Sequence, residues 1–563
     1  MKKYLLFILS VFIPLLSFAQ ETQEVGIDQK IDQAFQPISD FFSAIVFFPV
    51  AGTPFVLILL VASAAFFTIY FGFPNIRFFW RAIQTVRGKY EDIEKHGAAE
   101  LYGEDGIAQG QDLSNVDIEE HIENLDVDDN LAIDGDIVDT IRDESSAGEV
   151  SHFQALATAV SGTVGNGNIA GVALAIALGG PGATFWMIVC GLLGMSTKFV
   201  ECTLGVQYRD VGEDGTVYGG PMYYLTKGLK AKGFATLGKI AAVVFAVFCI
   251  GGSFGGGNAA QSNQATIVLK EMFNMTSAAS GFIVGIVLAI IVGIIIIGGI
   301  KRIAQVTEKV VPFMAIMYVV ACLYIILSNF TLIDDAVALI VKEAFNPTAI
   351  GVGGFIGVLL VGFKRAAFSN EAGAGSASIA HSAVRTKYSA SEGLVALLEP
   401  FIDTVLICTM TALVIIIFNF GGAFQYGGDG LGAVMIGGES FEGAGITAKA
   451  FAEYIPYSDV FLTIAVVLFA VSTMISWSYY GLQSWKFLFG RGKVADLVYK
   501  LLFLTFVVVG ASASMNSIWA FSDAMIFAMV FPNMVGLFFL FPVVKKQLTR
   551  YLNAIKLKEQ AIE

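Results

Sequence analysis

The chain has 563 residues, 56% of them hydrophobic and only 14% charged, with 48 Phe and 60 Gly. A soluble globular chain is about 45–50% apolar and about 25% charged, so an ordinary soluble domain is excluded. The formal charge of −13 is local: residues 91–149 hold 20 Asp and Glu against Lys95 and Arg142, a balance of −18 that leaves +5 elsewhere.

The apolar runs are continuous rather than alternating, which argues for an all-α polytopic membrane protein and against a barrel. Cys190, Cys202, Cys249, Cys322 and Cys408 all fall inside those runs. Their number is odd and no CxxC occurs, so neither a disulfide framework nor a thiolate metal site is expected.

In chain order, residues 1–19 carry Lys2 and Lys3, an apolar stretch and Ser17-Phe18-Ala19 before Gln20, the pattern of a secretory signal peptide. Residues 21–49 are polar, then amphipathic. The segment 54–73 is the first mature span, and Arg77, Arg81, Arg87 and Lys89 follow it. The positive-inside rule places that end in the cytoplasm and the N-terminus outside. The acidic insertion, 90–149, is then cytoplasmic too. Its Asp126-x-Asp128-x-Asn130 lacks the Gly and Glu that complete a calcium loop, since Leu131 and Ile137 stand there.

The next stretch, 152–178, is apolar enough to span a bilayer, which takes roughly 20 residues. Its centre reads Gly162-Thr-Val-Gly-Asn-Gly-Asn-Ile-Ala-Gly171. Irregular backbone at that depth is tolerated only where protein buries it or it lines a wet cavity. The glycines do not fit a dinucleotide loop, and close helix packing alone does not call for Asn166 and Asn168. A helix broken at the midplane suits an ion and a small zwitterion.

Further spans are predicted at 183–208, 237–270, 279–299, 307–328, 346–366, 391–418, 458–481, 495–514 and 516–542, eleven in all. With the N-terminus outside, Lys301, Arg302, Lys486, Arg491, Lys493, Lys545, Lys546 and Arg550 all fall inside. A glycine-rich outer loop at 419–456 offers a lid. Setting the first span aside leaves two five-helix halves of opposite orientation. The second half opens on 346–366, where Gly351-Val-Gly353-Gly354-Phe355-Ile-Gly357 predicts a second break. Matched breaks in inverted halves mark a 5+5 inverted-repeat transporter core. The chain thus divides into 1–19 (signal peptide), 20–89 (one extra span), 90–149 (acidic insertion), 150–543 (ten-helix core) and 544–563 (cytoplasmic tail).

Lys364, Arg365, Asn370 and Glu371 lie in a polar run between apolar segments and cannot face lipid unpartnered. They read as the cytoplasmic half of the second broken helix and an inner gate network, or as a solvated loop. Glu201, three residues after Lys198, reads as its ion-pair partner.

GTVGNGNIAGVALAIALGGPGATFW, GMSTKFVE, GGPMYYL, FKRAAFSNEAGAGSASIAH and FIDTVLICTMTALV together resemble the alanine or glycine:cation symporter family (sodium:alanine symporters). The signal peptide and the acidic insertion depart from that pattern. The resemblance implies a leucine-transporter-like fold in which the first and sixth core helices are broken. It also implies sodium-coupled uptake of a small neutral amino acid across the bacterial inner membrane, with no cofactor beyond the co-transported ion.

Chemistry and resemblance together select the residues. Backbone amides around Thr163, Gly165, Asn166 and Gly167 are expected to hold the carboxylate at a half-helix N-terminus, and Asn168 or Asn166 to add a side-chain amide. Gln261 is a further ligand, unless it serves only an interhelical hydrogen bond. Phe355 and Trp477 are expected to wall the side chain, so both glycine and alanine fit. Val164, Asn168, Ser472 and Thr473 look like an oxygen cage for sodium. Asp403 either binds a cation or anchors Arg365, and the anchor is preferred.

No enzyme is expected, because His96, His121, His152 and His381 pair with no motif Ser or Cys. No nucleic-acid partner is expected; lipid is. A channel would not accumulate cargo against a gradient. The alternative carrier is a proton-coupled amino-acid symporter using Asp403 or Glu371.

Overall fold

A computed structural model describes residues 27–98, 101, 148–212, 215–277, 279–346 and 354–562. The signal-peptide stretch, the Asp126–Asn130 pattern and glycines 351 and 353 lie outside the described residues.

Long apolar runs become helices because a helix satisfies its own backbone where no water reaches. Among the described residues, seven helices are long and apolar enough to cross a membrane, and a bent pair makes an eighth. Phe55–Tyr70 and Ser280–Ile296 are apolar but shorter. Ile290, Ile294, Phe313, Ile316 and Leu327 are exposed on neighbouring helices, an apolar belt far larger than soluble proteins leave open.

The bent pair is His152–Thr163 and Gly167–Gly179, which meet at 51°. Ser151 caps the first with a reciprocal bond to Gln154. Residues 164–166 leave the helix, and Gly167–Gly171 resumes it with a π turn. The break therefore stands where the Gly and Asn residues predict it.

Of the predicted second break, Gly351 and Gly353 lie outside the described residues; Gly354, at positive φ (66°), begins a helix that is continuous from Gly354 to Asn370. The chain leaves that helix at 371–376 before Ala377–His381 resumes. Glu371, Gly373 and Gly375 all sit at positive φ (54°, 94° and 87°). Glycine takes that conformation freely, whereas a side chain costs about 1–2 kcal/mol there. An interruption thus follows Asn370, and Arg365 and Asn370 belong to the helix before it.

A π turn at Gly255–Ala259 also interrupts Ala235–Met272, and the last helix runs unbroken as Met515–Ile562. The segment expected as a tail continues that helix. The 419–456 region forms a hairpin, Val434–Ile436 against Glu439–Phe441, and the helix Ala444–Tyr454. It lies on the far half of the first broken helix: Gly427 N–H donates to Ala177 O (2.7 Å) and Thr447 Oγ1 to Ile169 O (3.2 Å).

The two flanks of the acidic insertion dock on one loop. On one side Lys387 N–H donates to Glu94 O (2.9 Å) and Ala98 N–H to the Tyr388 hydroxyl (2.9 Å). On the other, Arg385 N–H donates to Val150 O (2.9 Å) and Glu149 N–H to Ala383 O (2.8 Å).

Candidate functional site

Where the first helix breaks, its last carbonyls and the next amides lose their partners, and side chains from three other helices meet them. Asn168 turns back: its Oδ1 accepts Gly165 N–H at 2.9 Å. Its Nδ2 donates to Asp403 Oδ1 (2.7 Å) and Asp403 O (3.1 Å) on the helix through Phe401–Cys408. Gln261 accepts Asn166 N–H at 2.9 Å and donates to Gly256 O at 2.9 Å. The Gln261 amide therefore joins two interrupted helices.

Ser472 and Thr473 lie on Ser458–Phe489. Thr473 Oγ1 donates to Ser161 O (3.0 Å), and Ser161 Oγ donates to Ser472 O (2.7 Å). Ser472 Oγ points elsewhere, to Phe469 O (3.0 Å) and Met314 Sδ (3.4 Å). Glycine is required at 165, because an added Cβ would press on Thr473 Oγ1 and come within 3.0 Å of Gln261 Oε1.

The end of the helix before the second break arrives at the same place. Ser369 Oγ donates to Asp403 Oδ1 (3.1 Å), and Asn370 Nδ2 donates to Thr404 Oγ1 (2.9 Å). Thr404 Oγ1 in turn donates to Asp403 Oδ2 (2.6 Å). Asp403 thus joins both broken helices through one carboxylate. It is fully buried, and every partner it has is neutral. A buried carboxylate whose partners are all neutral is strongly disfavoured when ionised, and either a proton or a nearby cation relieves it.

The expected anchor between Asp403 and Arg365 is absent. Arg365 pairs with Asp523 on the last helix, joined there by Lys364 Nζ (2.8 Å). Its guanidinium lies over Phe368 and Trp519, 5.3 and 5.4 Å from the ring centres. That site is one aromatic ring away from the first break, since Phe368 lines Gly167. Lys198 likewise pairs not with Glu201 but with Glu399, 3.0 Å away, while Glu201 accepts from Asn533.

Trp477 is buried beside the break, its ring filling the space left by Gly257. Its Nε1–H donates to Glu371 Oε1 (2.9 Å), and Ser376 Oγ donates to the other carboxylate oxygen. Phe355 does not join this cluster. It is 39% exposed and its ring packs on Trp186 (5.7 Å) and Phe345 (6.2 Å). Phe355→Ala is therefore expected to leave cargo affinity within about twofold of the parent, checked by competition binding, because no contact near the breaks is lost.

Thr163, Val164, Gly165, Asn166, Gly167, Asn168, Gln261, Ser472, Thr473 and Trp477 do converge. The sequence reading missed Ser369, whose hydroxyl closes on Asp403, and Ser161, which locks the first broken helix to the Thr473 helix.

The sodium:alanine symporter family model matches residues 135–563. The sodium/alanine symporter AgcS of Methanococcus maripaludis is 41% identical over 74% of this chain and 87% of its own. An uncharacterized transporter of Haemophilus influenzae is 37% identical over 74% and 87%, and the amino-acid carrier protein AlsT of Bacillus subtilis 34% over 74% and 82%. A crystal structure of a manganese-transporter mutant of Eremococcus coleocola is 14% identical, with a TM-score of 0.46 over 72% of this chain and 84% of that one. With a family match across the whole helical core and transporters among its relatives, the chain is a multi-pass membrane protein belonging to the sodium:alanine symporter family.

Proposed function

We propose that the chain carries a small neutral amino acid, alanine or glycine, into the cell together with sodium, by alternating access across a bacterial inner membrane. The N-terminus then lies outside and the C-terminus in the cytoplasm, about an inverted-repeat core. The observation that carries this reading is the junction of two broken helices on Asp403, a buried carboxylate without a cation.

The helix His152–Thr163 directs its negative end at the break and the Gly167–Gly171 turn its positive end. A cation and a carboxylate are therefore favoured on opposite sides of one gap. Gly165 and Asn166 N–H already donate to Asn168 Oδ1 and Gln261 Oε1, so the cargo carboxylate sits at the Gly167 amide on the positive end of the turn, while Asn166 Oδ1, buried without a partner, accepts from the ammonium. Gln261 fixes Asn166, and Thr163 and Trp477 wall the small side chain. Sodium, a hard cation, takes oxygens from Val164, Asn168, Ser472 and Thr473. Sodium and amino acid each favour the closed site, so each raises the affinity for the other by one factor.

Asp403 also favours a second coupling reading, in which a proton neutralises it. Uptake of radiolabelled alanine into proteoliposomes separates the two. Concentrative uptake under an inward sodium gradient, absent with equal potassium or a proton gradient alone, is the expected result. Proton-driven uptake without sodium would assign coupling to Asp403 instead. No uptake of alanine or glycine under any gradient would overturn the proposed cargo.

A further inference from the structure

Away from the break cluster, at the end of the fold where His152 begins the first broken helix, six ionisable side chains run in an unbroken buried chain. Glu94 Oε2 contacts His152 Nε2 at 2.9 Å, and His152 Nδ1 contacts Glu392 Oε2. The other oxygen of Glu392 contacts His381 Nδ1 at 2.5 Å. His381 Nε2 faces Glu399 Oε2 at 3.6 Å, and Glu399 Oε1 accepts from Lys198 Nζ at 3.0 Å. All six are buried.

The placement is specific. His152 is the first residue of the first broken helix, and His381 is the last residue of Ala377–His381, which follows the second break. One carboxylate, Glu392, therefore ties together the same-side ends of both broken helices.

Donors and charge together set how many protons this needs. An ionised carboxylate only accepts, and a neutral imidazole has a single N–H. His152 bonds a carboxylate on each side, so both contacts are filled only if the imidazole, or a carboxyl beside it, holds one extra proton. His381 bonds Glu392 and faces Glu399 at 3.6 Å, an ion-pair rather than a hydrogen-bond distance. Charge gives the full count of two. Glu94, Glu392 and Glu399 against Lys198 leave a buried −2, and two protons bring it to zero.

The surrounding charged and titratable groups have partners of their own, and one of them, Tyr551, bonds the chain itself. Tyr551 donates its hydroxyl to Glu94 Oε1 (2.6 Å), Glu308 accepts from Gln154 (2.8 Å), and Glu201 accepts from Asn533 (2.7 Å). Arg209 donates to the carbonyls of Ser382 and Val384. Glu371 holds Trp477, and the Cys202 thiol is buried near Lys198.

We propose that the chain Glu94–His152–Glu392–His381–Glu399–Lys198 is a binding site for two protons, whose occupancy latches the same-side ends of the two broken helices. The protons are taken from water when that end closes and returned to water when it opens. Loss of either turns an imidazole lone pair toward a carboxylate and leaves net negative charge buried, which opening relieves by admitting water. The latch is thus held at low pH and lost as pH rises. The proposal rests on the alternating-access reading, but it invokes neither cargo nor sodium.

The test is hydrogen–deuterium exchange of the full-length protein in detergent without amino acid, corrected for intrinsic rates. At about pH 10, peptides from 152–163 and 377–392 are expected to exchange roughly tenfold faster than at about pH 6, a range wide enough to reach imidazoles whose protonated form is held by neighbouring carboxylates. In His152→Gln and His381→Gln, which cannot titrate there, that step is expected to shrink to less than about twofold. Equal corrected rates at both pH values in the parent protein, or an undiminished step in both variants, would overturn the latch. Should a variant fail to fold, the comparison in the parent protein alone decides. A clear pH step without alanine uptake would keep the latch and remove the proposed cargo; uptake without the step would do the reverse.

Discussion

Asp403→Asn is expected to lower sodium-driven uptake by at least about 100-fold while leaving thermal stability unchanged or raised. Asn168 joins Asp403 to the proposed sodium oxygens, and removing the negative charge beside a desolvated cation typically costs several kcal/mol, each 1.4 kcal/mol being tenfold. The stability side follows from geometry. Asp403 accepts from Asn168, Ser369 and Thr404. Asparagine keeps one oxygen for Asn168 and Ser369, and its amide donates to Thr404 once that hydroxyl turns round. A buried uncompensated charge disappears and no hydrogen bond has to be lost. Uptake assays and a melting curve without sodium check the pair of outcomes. A variant that melts lower and still couples sodium would show that Asp403 is a structural acceptor only.

Gly165→Ala is expected to abolish uptake and to cost about 1–3 kcal/mol of stability, the usual range for a side chain forced into a filled core. The added methyl has nowhere to go. Thr473 Oγ1 lies against it on one side, held by Ser161 O, and Gln261 Oε1 lies 3.0 Å away on the other, held by Asn166 N–H. Relief requires breaking one of these bonds, and both belong to the proposed site. Sodium-dependent alanine binding falling by more than about tenfold, with the protein still folded by circular dichroism, is the expected outcome. Unchanged binding would mean that the two bonds do not shape the site.

The first break was legible because glycine and asparagine have no other use at the centre of an apolar span. Asn166 and Asn168 prove to be its hydrogen-bonding elements, with Gln261 the partner of Asn166 and Asp403 that of Asn168. The interruption after Asn370 was not legible as one. Gly354 begins its helix and Gly357 lies inside it, where glycine costs only about 1 kcal/mol of helix propensity. The backbone leaves that helix at Glu371, Gly373 and Gly375, which take up positive φ. The polar run just before those glycines was noticed but read as the far half of the helix.

Long-range ion pairing was not legible at all. Spacing pairs Lys198 with Glu201 three residues on, yet the lysine reaches Glu399, and Arg365 reaches Asp523. Both choices are made by packing between helices, which no local pattern encodes. Phe355 was assigned through the glycine cluster at 351–357, but its ring packs on Trp186 and Phe345 instead.

The most direct test of the account is reciprocal binding by titration calorimetry on the purified protein. Alanine affinity would be measured in sodium and in choline, and sodium affinity with and without alanine. A shared site between the two breaks predicts the same enhancement factor in both directions, on the order of tenfold or more. Alanine binding that is equally tight without sodium would contradict it.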